Sequence, residues 1–410
     1  MRAAIDMKRL FRRCAVAAAL TAIAGCGSSN STPPERPSGA IEGIVFAAPV
    51  SGATVQAWTY RDGGRGELLG QATTDASGRY ALSVKTPDGI LLLEASGGVY
   101  REEASARDVT LAPQPHLRSL VRYVNGGPPP AGNITSFTTL ASGLADHLVS
   151  GGETAQAATD RGFAAFNAAL GLDVRAVTPL HITDPGSATG GLSPGHEYGF
   201  YEAAISQWTA EAGTRNGQTP HTTHTSASFV ALGLEDIRAD GLLDGSAEGG
   251  RLLSVGGIAL DTETYRHDLA VALLRIAQSG ANATGLAAGQ LVPAADRWNG
   301  STAGFFGYAP VVPLDETPPA ITNLQPPENS ILCGTFTASA SVGDALLADS
   351  VFLLDGNLLG NQGTASAPRI AINTRQYSNG NHALVLRATD VLGNVSTLTR
   401  TLAFLNAFIC

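Results

Sequence analysis

Charge is scarce in this chain. Only 15% of its 410 residues are Asp, Glu, Lys or Arg, against 48 glycines. Such a composition, rich also in Ser and Thr, fits a turn-rich extracytoplasmic protein containing β-structure better than a cytosolic enzyme. Few residues are poised for acid–base work. There is no phosphate-binding loop or dinucleotide fingerprint. His196-Glu197 runs on into Tyr198-Gly199-Phe200 without the second histidine of a metalloprotease helix. No βαβ rhythm is present to place a hydrolase nucleophile at a strand–helix junction. After residue 25 no apolar run is long enough to cross a bilayer. Beyond that point 21 basic residues face 34 acidic ones, a net charge of −13. That balance opposes an electrostatic grip on nucleic acid or anionic lipid. A non-catalytic protein without a cofactor is the expectation.

The N-terminus is the most informative stretch. Lys8, Arg9, Arg12 and Arg13 form a basic region, Ala15 to Ile23 an apolar run too short to span a membrane, and Ile23-Ala24-Gly25 precede Cys26. This resembles a bacterial lipoprotein signal with its lipobox. The resemblance implies removal of residues 1–25 and acylation of Cys26, palmitate included, so that the chain hangs from a membrane by its first residue. Gly27, where many inner-membrane lipoproteins carry aspartate, implies an outer-membrane lipoprotein facing periplasm or exterior in a Gram-negative source. Residues 26–39, Ser/Pro-rich with little to bury, read as a flexible tether. Cys14 leaves with the signal, and Cys333 and Cys410 remain. In an oxidising compartment they are most simply a disulfide joining the two ends of the C-terminal segment, adding about 4 kcal/mol if unstrained.

Residues 40–121 carry a strand pattern with turn signals every 8–15 residues. Asp75-Ala76-Ser77-Gly78 is a tight turn. Gly43 to Val45, Ser51 to Val55 and Ala72 to Leu82 together resemble the carboxypeptidase regulatory-like domain. The likeness implies a small β-sandwich of transthyretin- or starch-binding-like topology, acting as an accessory module sometimes associated with carbohydrate. Val55, Ala57 and Thr59 face one way and Gln56, Trp58 and Tyr60 the other. If the first set is core, Trp58 and Tyr60 offer stacking area for sugar rings, unless the loop 61–66 or the helical region covers them.

After the run NGGPPPA at 125–131 the hydrophobic period changes from 2 to 3.6. Ile134 to Leu148, Glu153 to Leu170 with Gly171 as cap, Tyr198 to Trp208, Phe229 to Ile237 and Asp261 to Ala277 read as helices, with a further turn or two in 282–297. Residues 132–310 are therefore expected to form an all-α domain. His221 and His224 are the only close histidine pair. With Glu263 or His267 they could assemble a zinc site for a metal-assisted hydrolase, though a solvated helix-entry loop explains them as well. Asp236, Asp240, Gly241 and Asp244 are spaced like a calcium loop, but Arg238 and Ala247 stand where ligands are needed, so Asp-Gly turns are expected.

Asp315-Glu316-Thr317-Pro318-Pro319 breaks helix and opens a segment of alternating strands with Asp355-Gly356, Asn379-Gly380 and Gly393-Asn394 turns. Thr317 to Ile321, Val351 to Gly356 and Leu386 to Asn394 resemble bacterial Ig-like domains, implying a spacer or adhesive module over 315–410. Asp344, Asp349 and Asp390 near the strand ends are expected to turn the chain rather than bind calcium. The sequence thus reads as a multidomain α+β protein: N-terminal β-sandwich, central helical domain, C-terminal Ig-like β-sandwich. Its expected role is binding or adhesion, toward polysaccharide or a surface protein.

Overall fold

Each strand and helix boundary follows a local signal in the chain. The computed structural model describes residues 38–86, 88–112, 117–188, 190–215, 224–247, 250–255, 257–307 and 311–406. The signal, Cys26 and nearly all of the tether lie outside them, as do His221 and Cys410. The fold is mixed, with helices and several sheets.

Among the described residues nine strands open it: β1 (Ser38–Phe46), β2 (Thr54–Arg61), β3 (Gly64–Thr73), β4 (Arg79–Lys85), β5 (Gly89–Ser96), β6 (Val99–Arg101), β7 (Asp108–Thr110), β8 (Leu117–Tyr123) and β9 (Ile134–Thr135). One sheet has the order β3-β2-β5-β8, another β4-β1-β9, and β6 and β7 form a separate hairpin. The expected turn at Asp75 is present: Asp75 Oδ1 accepts from Ser77 N at 2.8 Å, and Gly78 has φ 75°. Strand β1 includes Ser38 and Gly39, two residues ahead of the expected Ala40, and they pair with Lys85 and Val84.

Helices follow, α1 (Ser136–Ser150), α2 (Ala155–Leu170), α3 (Pro194–Arg215), α4 (Ser226–Asp240), α5 (Thr262–Gln278) and α6 (Val292–Asn299). Their ends are chemically marked. Thr135 caps α1 in a capping box with Thr138, Thr225 caps α4 with Ser228, and Gly171 and Gly241 close α2 and α4 in left-handed conformations. The central region is not purely helical. Two small hairpins, β10 (Ser246–Ala247) with β11 (Arg251–Leu252) and β12 (Ser254–Val255) with β13 (Ile258–Ala259), lie between α4 and α5.

The run at 125–131 does not divide the interior into separate cores. Beyond it the chain returns to the sheet of β4 and β1, where β9 pairs in parallel with β1 through Val45–Ile134 and Phe46–Thr135. Gly132 N donates to the Glu42 carbonyl at 2.8 Å, and Tyr80 Oη to the Gly132 carbonyl at 2.5 Å. A side chain at Gly43 would meet the Gly132 backbone at 2.3 Å, so glycine is required for that approach. One continuous apolar core then runs from Ile41 and Val55 through Phe137 and Trp208 to Trp298. Strand β5 shows why: Ile90 to Ala95 are buried on both faces, which a strand on an open sheet would not be.

The last eight strands are β14 (Ala320–Gln325), β15 (Ile331–Leu332), β16 (Thr335–Gly343), β17 (Leu347–Leu354), β18 (Asn357–Asn361), β19 (Arg369–Asn373), β20 (Gly380–Asp390) and β21 (Val395–Phe404). They make sheets of order β14-β16-β19 and β15-β21-β20-β17-β18 around a second core that includes Phe352, Leu384, Leu386 and Phe404. Asp355 and Gly356, at φ 52° and 79°, supply the tight hairpin turn between β17 and β18. Gln278 Nε2 at the end of α5 donates to the Leu347 carbonyl at 2.8 Å and ties this sandwich to the helices.

The joint between first sheet and helices is a buried ion pair. Asp146 on α1 accepts from Arg118 Nη1 on β8 at 2.7 Å and from Tyr60 Oη on β2 at 2.8 Å, with Arg238 on α4 at 3.1 Å. Asp146 and Arg118 are each 4% exposed. Asp146→Ala is therefore expected to lower stability in urea titration by about 3–5 kcal/mol, since it leaves a buried guanidinium uncompensated. Arg238→Ala, removing a half-exposed partner, should cost under about 1 kcal/mol.

Candidate functional site

The expected stacking face on β2 is closed. Bulges on either side of Trp58 disturb the alternation, and Tyr60 turns inward to Asp146, where it is 6% exposed. Burial first, and the Asp146 charge second, push its hydroxyl well above the usual phenol range. Trp58 is half-buried beneath the Arg65 guanidinium, 5.2 Å from the ring centroid, and Arg65 in turn pairs with Glu94. Trp58 and Tyr60 therefore do not line an open groove. The face they occupy, shared with Glu94 and Arg118 across the sheet, is the one α1 covers.

Among the described residues the histidines belong to no group of three or more side chains placed to hold a metal ion. His224 borders a small cavity with Glu102, Ser206 and Thr209. His267 Nε2 lies 3.1 Å from the Leu314 carbonyl and its other nitrogen faces Asp268, whose hydrogen bond raises the imidazole pKa against the effect of burial. His221 and the Glu263 side chain lie outside the described residues. At the α4 exit the acids turn the chain: Asp236 accepts from Gly245 N, Asp240 from Leu242 N and Asp244 from Ser246 N, all at 2.9 Å. Burial pushes the Asp236 carboxyl up to about 7.

Among the described residues one group of acids could hold a cation, Asp315, Asp344 and Asp390, with ligand atoms within 4.8 Å of one another. Asp349, expected beside them, is not part of it. All three already serve turns. Asp315 Oδ1 accepts from Thr317 N, Asp344 Oδ1 from Leu346 N, and the buried Asp390 from Leu392 N, Asn394 N and Asn394 Nδ2. Three carboxylates would fill half or less of a calcium shell. Burial, then Asp315 and Asp390, raise the Asp344 carboxyl.

A larger hollow lies elsewhere, among residues the sequence reading did not bring together. It is an open cleft of about 610 Å³. Ile44 and Phe46 of β1, Arg79 of β4, the β6–β7 hairpin and the segment 178–187 wall it. A second hollow of about 550 Å³ shares Ile44, Arg79 and Thr178 and continues it past Glu42, Thr73 and Asn133. The first hollow's lining is hydroxyl-rich, with Ser51, Ser77, Thr178 and Ser187. Most titratable groups in it are engaged by their own loops. His181 Nε2 bonds Thr183 at 2.8 Å and its ring meets the edge of Phe46, burial lowering its pKa. Asp184 accepts from Gly186 N at 2.8 Å, Asp75 caps its turn, and Asp108 pairs with Arg101. Arg79 is exposed between the two hollows. No periodicity marks this site, because its walls come from four separated segments.

The chain matches no known protein family and no curated relative. Among solved structures it is similar to the fibronectin(III)-like modules of Clostridium thermocellum CbhA (17% identity, 23% of this chain and 50% of that one, TM-score 0.20). It is also similar to the endo-β-1,4-mannanase of Thermotoga petrophila (12%, 29% and 24%, TM-score 0.20) and a 9R-lipoxygenase from Cyanothece (12%, 47% and 26%, TM-score 0.17). The chain spans half or less of these structures' length, and likenesses this slight carry no argument. Among the described residues no helix is long and apolar enough to cross a membrane.

The facing carboxylates of the acidic cluster make one expectation. Asp344→Asn keeps an oxygen for Leu346 N and removes one like charge, so in low salt at pH 7 thermal unfolding should show a gain of about 0.5–1 kcal/mol. High salt should screen most of that gain away.

Proposed function

We propose that this chain is a membrane-tethered, extracytoplasmic binding protein whose ligand site is the cleft between the first sheet and the 178–187 segment, and that its ligand is a polyhydroxylated one, a glycan. The cleft carries the reading. Its lining mixes apolar floor (Ile44, Phe46, Leu180) with hydroxyls and the Arg79 guanidinium, the mixture that sites for small polar ligands use. His181, Asp184, Asp75 and Asp108 are held in loop and pair bonds, which favours recognition over reaction. Across both hollows Arg79 and Arg101 face Glu42, Asp75, Asp108 and Asp184. That balance disfavours an anionic ligand and suits a neutral one.

The tether belongs to the same proposal. Acylation of Cys26 after loss of residues 1–25, and residence at the outer membrane, rest on the N-terminal pattern alone. The three-module reading is proposed likewise, with the carboxypeptidase regulatory-like and Ig-like likenesses at either end. The pairing of β15 with β21 beside β20, β17 and β18, opposite β14-β16-β19, supports an Ig-like arrangement of the last module. Cys333 is disulfide-bonded, and Cys410, outside the described residues, is the partner we propose for it.

Two measurements test this. A glycan array with the chain from residue 27 onward should retain a neutral polysaccharide, and Arg79→Ala should weaken that binding by about tenfold, the worth of a charge-assisted hydrogen bond pair. Retention of nothing, or binding untouched by Arg79→Ala, would reject the site. Mass spectrometry of non-reduced peptides should link Cys333 to Cys410; two free thiols would reject the pairing.

A further inference from the structure

We propose that the β6–β7 hairpin is a pH-gated wall of the cleft, held shut by buried carboxyl groups and loosened when they ionise. This rests on the reading of the cleft as the ligand site. Val99, Tyr100, Arg101 and Asp108 of the hairpin line the cleft directly. The hairpin's backbone meets the segment before β2 where Ser51 and Val99 exchange a pair at 2.8 Å, and the bond from Leu111 N to the Gly98 carbonyl, at 3.0 Å, closes its own base. Gly97 and Gly98 at its base stand at φ 64° and 80°, conformations natural to a glycine pivot.

What holds it down is acidic. Its turn carries Glu102 and Glu103, each 4% exposed. Glu102 Oε1 accepts from Tyr100 Oη at 3.0 Å, Ser226 N at 2.8 Å and Ser226 Oγ at 2.9 Å, pinning the turn to the start of α4. Ala104 N donates to Ser206 Oγ on α3 at 3.2 Å. The charges that bear on Glu103 are Glu102 beside it and Glu202 on α3, both of its own sign. Glu202, 2% exposed, accepts from Ser136 N of α1 at 3.3 Å, while its Oε1 is buried without a hydrogen-bond partner. Tyr198 on α3 also faces Glu202, Thr135 and Ser136 approach it from the start of α1, and His224 and Thr225 close the far side beside Glu102.

Burial without an opposite charge disfavours ionised Glu103 and Glu202. Burial, then Glu102, lift the Glu103 carboxyl to about 8, and burial lifts Glu202 to about 7. Once the hairpin swings out, Glu103 meets water and returns toward its ordinary value of 4.5. Opening therefore releases a proton: closure is complete below about pH 4.5, weakens as pH rises, and reaches its floor above about pH 8.

Hydrogen exchange of residues 99–110 in the mature chain, followed at pH 6 and pH 8.5 and referred to intrinsic exchange rates, reads the gate without any ligand. The open population should rise at least about tenfold between the two pH values. Glu103→Gln should flatten the profile, and His224→Asn should leave it in place. Equal protection at both pH values in the wild-type chain, or full pH dependence surviving in Glu103→Gln, would overturn the proposal. A gate that opens with pH in a protein that retains no glycan would instead reject the ligand reading and leave the gate standing.

Discussion

The buried contact of Asp146 with Arg118 and Tyr60 is the constraint on which the architecture depends. It binds one residue from each of three elements, α1, β8 and β2, at a place where neither charge could remain alone. Burial pushes the Asp146 carboxyl up against the pull of Arg118 first and Arg238 after it, so the buried Arg118 guanidinium is the partner this carboxylate depends on. Because the contact needs all three, the sheet is not a free module with a helical neighbour. Sheet and helices complete each other.

The cleft follows from that union. With α1 laid over one face of the β3-β2-β5-β8 sheet, the chain enters that helix from β9, which pairs with β1 of the other N-terminal sheet. The segment 178–187 then packs beside Phe46 and opposite the β6–β7 hairpin, leaving a polar hollow between rigid walls on one side and a lightly bonded hairpin on the other. Position and mobility of the proposed site thus have one origin, in how the sheet is covered.

Much of the fold was legible in the sequence, for physical reasons. Period-3.6 runs bounded by Thr or Gly gave the helices, and Asp75-Gly78 and Asp355-Gly356 gave their turns. Two things were hidden. The Ile90 to Leu93 run is continuously apolar, and that lack of alternation is the mark of a strand covered on both faces; it was the available sign that no open groove lay at Trp58 and Tyr60. The cleft itself had no such mark, since its residues are brought together from β1, β4, the hairpin and 178–187 by tertiary packing alone. The glycine-proline run at 125–131 looked like a boundary because its composition resists helix and strand, yet Gly132 is placed there to approach Gly43 closely.

The interdependence of sheet and helices is the central claim, and expressing residues 38–124 alone tests it most directly. A nitrogen–proton correlation spectrum of that fragment should be poorly dispersed, because Leu92, Leu120 and Arg118 would face water in place of α1. A well-dispersed spectrum from a stably folded fragment would contradict the account.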